Sequence, residues 1–164
     1  MTYVRYIDKT REYYLSEGYQ TPYRLAHFDD IPFTPLRKPL ATCRVGLVTT
    51  SEMALLKEDG TPEEVEEDPA GNVYSLPSDL PVARLYSRKD AYDRHATTLA
   101  DVDAYLPLTR LHEYVAAGRI GSLAPRFHIV YSQYSQRKTM HVDAPEILQR
   151  CREDNVDVVL LTAV

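Results

Sequence analysis

Residues 43–52 read CRVGLVTTSE, and this stretch decides the fold. Cys43–Val48 is a near-continuous apolar run, the pattern of a strand covered on both faces. It leads directly into Thr49, Thr50, Ser51 and Glu52. Small hydroxyl residues at the end of a buried strand either cap a helix or hold an anionic ligand on backbone amides. They do not form a nucleotide-binding loop, because the Gly-Lys-Thr pattern is absent.

Two further strands are expected downstream. Phe127–Tyr131 follows the Gly121-Ser122 turn, and Val158–Leu161, VVLL, is another fully apolar run. Between them Asp143-x-x-Glu146 has the form of a capping box that opens a helix, with Ile147, Leu148 and Cys151 facing inward. Asn155 stands where a left-handed residue often closes a helix. Strand, helix and strand with short links make a βαβ unit, which implies parallel pairing. Thr109–Ala117 reads as a helix with Leu108, Leu111 and Val115 on one face, ended by Gly118. Val82–Tyr86 is a possible short strand. Residues 57–81 carry Gly60, Pro62, Pro69, Gly71, Pro77 and Pro81 and the acidic run Glu63, Glu64, Glu66, Glu67 and Asp68. They read as a solvated excursion rather than a metal site.

Residues 1–42 hold Tyr3, Tyr6, Tyr13, Tyr14, Tyr19 and Tyr23, then Pro22, Pro32, Pro35 and Pro39. A short helix is expected over Thr10–Ser16, followed by an extended path set by the prolines. This is an arm that lies on its own domain or on a second subunit. The expected organisation is an N-terminal arm, 1–42, and an α/β domain, 43–164. The domain is expected to be a three-layer α/β sandwich with a mainly parallel sheet.

The 164 residues suit one domain with a real core. Hydrophobic residues at 44% and charged residues at 26% are ordinary for a globular protein. A net charge of −5 argues against nucleic-acid binding, which needs an excess of Lys and Arg. No run approaches the roughly 18 apolar residues that would span a bilayer. The N-terminus, MTYVRYIDKTREYY, has no apolar segment of a signal peptide. Two cysteines without motif spacing fit a reducing, cytoplasmic compartment. Both read as small core hydrophobes: Cys43 begins a buried strand and Cys151 faces inward from a helix. His112 and Glu113 are adjacent on a helix and point apart. His141 and Asp143 are too little for a metal site, and no metal is expected.

The chain finishes VDVVLLTAV. A two-sided buried strand is normally followed by a loop and a covering helix, and ligands in open α/β sheets bind outside the carboxyl ends of the strands. The ending therefore reads as an edge strand or as a sequence that stops short of its functional residues.

Three stretches carry a resemblance to a known family: FTPLRKPLATCRVGLVTTSEMAL (33–55), YDRHATTLADVDAYLPLTRLHEYVAAGRIGSLAPRFH (92–128) and DNVDVVLLTAV (154–164). Their order and spacing resemble the glycine/sarcosine/betaine reductase selenoprotein B and D-proline reductase family. The resemblance implies a selenocysteine or cysteine directly after the final strand, beyond Val164, followed closely by a second Cys and a His. A selenolate is ionised at neutral pH, where a free thiol of pKa about 8.5 mostly is not. A UGA codon after Val164, read as stop, is the expected reason for the ending; deliberate truncation or a second polypeptide supplying the remainder are the others.

The same resemblance implies an oxidoreductase subunit that cleaves a C–N bond of a small amine or amino acid. A dithiol or thioredoxin-like protein would supply the electrons, and a second subunit or a homo-oligomer would be a partner. His95, in DRHATT, matches a family histidine and is the candidate catalytic residue, or else a surface histidine. Thr49 and Thr50 are candidate substrate contacts. Ser122 and the amides around Gly121 either hold the carboxylate of an amino-acid-like substrate or form a tight turn that needs glycine. Arg126 and His128 share a strand face, and Arg126 either grips a carboxylate or makes an ordinary salt bridge. The competing class is a non-catalytic domain that binds a partner through the arm and the exposed sheet edge.

Overall fold

The computed structural model describes residues 5–21, 27–31, 34–63, 73–90, 92, 94–95, 98–131 and 135–163. It divides into two compact units, Met1–Thr34 and Pro35–Val164. In the first unit, helix α1 spans Tyr6–Ser16 and buries no residue. Tyr6, Tyr13 and Tyr19 are exposed, and the rings of Tyr14 and Tyr19 meet edge to face at 5.3 Å.

The second unit is an α/β domain. Strand β1, Arg44–Thr49, is the centre of its main sheet. One side of β1 pairs in parallel with β7, Val158–Thr162, from Val45↔Val158 to Thr49↔Thr162. The other side is shared by two short parallel strands, β5 (Ser122–Leu123) near the start of β1 and β6 (Arg126–Val130) near its end. Pro125 lies between β5 and β6 and has no N–H to give to a ladder. Strand β3, Val73–Pro77, runs antiparallel to β6 and closes the far side. Strands β2, Met53–Leu55, and β4, Leu85–Ser87, form a separate antiparallel pair. Among the described residues the remaining α-helices are α2 (Leu108–Ala116), α3 (Gln136–Lys138) and α4 (Ala144–Glu153).

Alternation along the strands fills both faces of the sheet. Val45 and Leu47 of β1 and Phe127 and Ile129 of β6 join Leu108 and Leu111 of α2, and Met53 and Leu85 of the small pair, in the larger core. Val48, Val73 and Val130 point the other way and pack against Ile147 of α4. The sheet thus lies between α4 on one side and α2 with the β2–β4 pair on the other.

The structure corrects three expectations. Val73–Pro77, inside the stretch read as a solvated excursion, is a strand whose Val73 is buried. Asp143 does not open a helix. The helical run begins after Ser135, whose hydroxyl accepts from the Lys138 N–H at 3.2 Å, and continues through α3 and a π-helical turn, Thr139–Asp143, into α4. The local cause is Pro145 in the first turn of α4: it lacks an N–H and its ring displaces the carbonyl four residues back, at His141. The third correction concerns β7, which is not buried on both faces. Among the described residues it pairs only with β1, and Leu161 is 74% exposed.

The helix ends follow the sequence reading. Gly118 has φ +66 after α2, and Asn155 has φ +53 after α4, each a left-handed residue that turns the chain off the helix. At the amino ends of the strands the contacts are ionic. Asp157 accepts from the Arg44 backbone N–H at 2.7 Å and from Lys38 Nζ at 2.7 Å, which holds its carboxyl below the usual carboxylate range, the Lys38 contact contributing most.

Candidate functional site

The parallel strands β1, β6 and β7 end on the same edge of the sheet, the edge at which open α/β sheets bind ligands. Thr49 is fully buried there and its hydroxyl lies 2.6 Å from that of Ser51, also buried. The Thr50 N–H donates to Thr162 O at 3.2 Å, which ties the end of β1 to the end of β7. The chain then turns through Glu52, a non-glycine residue at φ +50. The carboxylate of Glu52 pairs with Lys89 Nζ at 2.9 Å, and both residues are buried. The Ser87 hydroxyl donates to Ser51 O, and the Arg88 N–H to Glu52 O at 3.1 Å. A left-handed residue with a buried ion pair is a conformation that persists only where its surroundings over-determine it.

On the α4 side of this edge lies a groove of about 540 Å³ between the helical run and the ends of β1, β6 and β7. Its walls are mostly apolar, with Thr50, Thr139 and Thr162 among the polar residues. Asp143 lines it and is only 3% exposed. Its Oδ1 has no hydrogen-bond partner among the described residues. Burial raises its pKa, Lys138 pulls it back, and Glu146 raises it further. Cys151 lines the same groove, with its thiol pKa raised by burial. Neither cysteine is in a disulfide, and both are buried.

The candidate residues fall into separate places. Thr49 and Thr50 lie at the carboxyl edge. His95 is exposed, in a stretch whose neighbours 93, 96 and 97 lie outside the described residues. Gly121 and Ser122 sit at the opposite, amino end of the sheet, where both N–H groups donate to Cys43 O, at 3.0 and 3.2 Å. A Cβ at Gly121 would stand 2.7 Å from Thr42 C and 2.8 Å from Cys43 O, so backbone approach alone requires glycine there. The Ser122 hydroxyl accepts from Arg44 Nε at 3.4 Å. Arg126 is also at the amino end, paired with Asp154 at 2.8 Å and Glu153 at 2.8 Å.

His128 lies mid-strand, fully buried. Its Nδ1 shares a 2.8 Å hydrogen bond with Ser75 Oγ, which also accepts from Arg150 Nη1 at 2.8 Å. Burial, followed by the positive charges of Arg126 and Arg150, pushes its pKa down to about 4. It is therefore neutral near pH 7.

Sequence reasoning missed two features of the carboxyl edge. Asp143 reads as a cap because Asp143-x-x-Glu146 has the spacing of a capping box; Ser135, three residues before Lys138, is the signal for the true start. The Glu52–Lys89 pair joins residues far apart in the chain and left no local pattern. Among the described residues no group of three or more His, Cys, Asp or Glu is placed to hold a metal, and no helix is long and apolar enough to cross a membrane.

The fold and its edge define an open α/β domain with its crevice at the strand ends. Residues 5–164 match the family model of glycine/sarcosine/betaine reductase selenoprotein B, and the chain belongs to that family. It is 27% identical over 151 residues to the glycine reductase complex component B subunit gamma of Symbiobacterium thermophilum, a match covering 90% of this chain and 34% of that protein. The chain thus spans about a third of the length of that curated relative. No solved structure matches.

Proposed function

We propose that the chain is part of a reductase subunit that cleaves the C–N bond of a small amine or amino acid. The family match over residues 5–164 carries this reading. The geometry supports it: β7 runs beside β1 to Thr162 at the ligand-binding edge, so residues that follow the strand emerge there. Val164 itself lies outside the described residues.

The redox residue is a selenocysteine or cysteine directly after Val164. In outline, an amine R–NH2 and two thiols give R–H, ammonia and one disulfide. The thiols come from a dithiol or thioredoxin-like donor in the cytoplasm. A selenolate at a strand end attacks as the anion without a base to deprotonate it. The curated relative is a component of a complex, and by analogy this chain works with partner subunits. His95, Thr49 and Thr50 are proposed for the catalytic edge. For Gly121, Ser122 and Arg126, the candidate carboxylate contacts, and for His128, a candidate substrate contact, the place at the amino end or inside the sheet favours a structural role.

The test begins with the nucleotides after the Val164 codon. A UGA followed by an open frame with a nearby Cys and His is expected. The full product with its partner subunits should then oxidise dithiothreitol in the presence of glycine, sarcosine or betaine with release of the amine, or of D-proline with opening of its ring. An ordinary stop with no continuing frame, and no dithiol consumption by the chain, would refute the reading.

The exposure of Val159, Leu160 and Leu161 on β7 favours a second reading, a non-catalytic domain that binds a partner along this edge. A monodisperse monomer that consumes dithiol would sink it.

A further inference from the structure

We propose that the groove between α4 and the ends of β1, β6 and β7 is the seat of a helix formed by the residues that follow Val164 in the full product, on their way to a further parallel strand beside β7. The proposal rests on the reductase reading only for the frame that continues after Val164; the docking itself can be measured without turnover.

The walls of the groove have the pattern of a surface that packs a helix. Ala144, Ile147, Leu148 and Cys151 line it from α4, at the i, i+3, i+4 and i+7 spacing of a stripe that meets a neighbouring helix. Val159 and Leu161 line it from β7, alternate residues that share one face of the strand. Strands stand about 4.8 Å apart and packed helices about 10 Å, so one helix covers about two strands. α4 packs through Ile147 on Val48 of β1 and Val130 of β6, which leaves the same face of β7 to another helix. Leu148 is 50% exposed there, and with Leu161 it offers apolar surface that such a helix would bury.

Topology selects the occupant. β1 crosses to β6 by way of α2 on one face of the sheet, and β6 crosses back over β1 to β7 by way of α4 on the other. Direction and face reverse together, so the two crossovers share one hand, the right hand that such units adopt. A parallel strand added outside β7 continues in the direction of the second crossover, and its helix must then lie on the α4 face. That helix starts at the carboxyl edge and runs alongside α4. Its first turn, whose N–H groups lack partners within the helix, falls at the end of the groove where Asp143 stands with Oδ1 unpartnered among the described residues. The curated relative has chain enough for this, with about two-thirds of its length outside the match, whereas a strand–helix–strand unit needs only about 30 residues.

The test uses the full product, with cysteine in place of any selenocysteine, and three single variants: Leu148→Cys, Leu161→Cys and, as control, Tyr114→Cys. Tyr114 is 41% exposed on α2, away from the groove. Each is labelled with a thiol reagent and read peptide by peptide in a mass spectrometer. In the full product the two groove positions should label at least about tenfold more slowly than the control, since only local opening would expose them. In the 164-residue chain all three should label at comparable rates. Amide exchange of the unsubstituted proteins needs no variant to fold: residues 144–151 and 158–162 should exchange more slowly in the full product, and residues 108–116 alike in both. Equal labelling of the three positions in the full product, or an ordinary stop after Val164, would overturn the proposal. So would protection that is lost on dilution to a monomer, which would make the occupant a second copy, or protection that appears only with an added partner subunit. Protection without reductase activity would fail the reductase reading and leave the groove assignment standing. An active reductase with a freely labelled groove would do the reverse.

Discussion

His128 should make the domain acid-sensitive by a predictable amount. Its ordinary pKa of 6.5 falls to about 4 in the fold, because a buried imidazolium would lose its hydration and face Arg126 and Arg150. Asp154 and Glu153 act in the opposite sense and are weaker here. Between these two pH values the unfolded chain binds more protons at this position than the folded one, so stability increases with pH across the window. The contribution is fully present above about pH 6.5 and is lost progressively as the pH falls to about 4. At about 1.4 kcal/mol per pH unit, the difference amounts to ~3 kcal/mol. The assay is urea unfolding of the native chain and of His128→Gln, from pH 7 downward. Glutamine does not titrate and can still bond to Ser75. Other groups titrate in both proteins and cancel in the comparison. The native chain should lose ~3 kcal/mol more than the variant by about pH 4. Parallel curves for the two proteins would refute the account of His128 as a buried neutral histidine.

Three further outcomes are expected. Gly121→Ala should destabilise the domain by ~2 kcal/mol in urea unfolding, because the new Cβ meets the Thr42 and Cys43 backbone and not a mobile side chain. Glu52→Gln should destabilise the domain in urea unfolding by weakening the buried contact with Lys89, whereas the double change Glu52→Gln with Lys89→Met should recover much of the loss. Cys43 and Cys151 should both resist a thiol reagent in the folded chain and react only on unfolding; prompt labelling of Cys151 would contradict its buried, raised-pKa thiol.

What the sequence disclosed was the part of the fold held by uninterrupted apolar runs. Val45, Leu47 and Val48 of β1, and Phe127 and Ile129 of β6, have partners on both sheet faces, so burial imposes the pattern that the reading detects. β3 escaped because it follows an acidic run in the sequence, ends at Pro77 and, among the described residues, has only β6 as a neighbour. β7 has the composition of a central strand in VVLL and, among the described residues, stands at an edge, one of the two readings its sequence left open. At the site, Thr49 and Thr50 were legible because a strand end is a local feature. Asp143 and the Glu52–Lys89 pair were not, because their meaning depends on a helix that starts upstream of Pro145 and on a contact across many residues.

The ionic contacts at the amino ends of the strands have a mechanical consequence for β7. Asp157 clamps its start to both Lys38 and the Arg44 amide, while its far end is joined to β1 through the Thr50 amide and a long 3.5 Å bond from the Thr162 hydroxyl to Val48 O. A strand fastened this way opens like a door on one hinge, from Thr162 back toward Val158. Amide exchange along β7 should therefore be fastest at its carboxyl end, and each such opening would unroof the Asp143 groove without disturbing the core beneath α2.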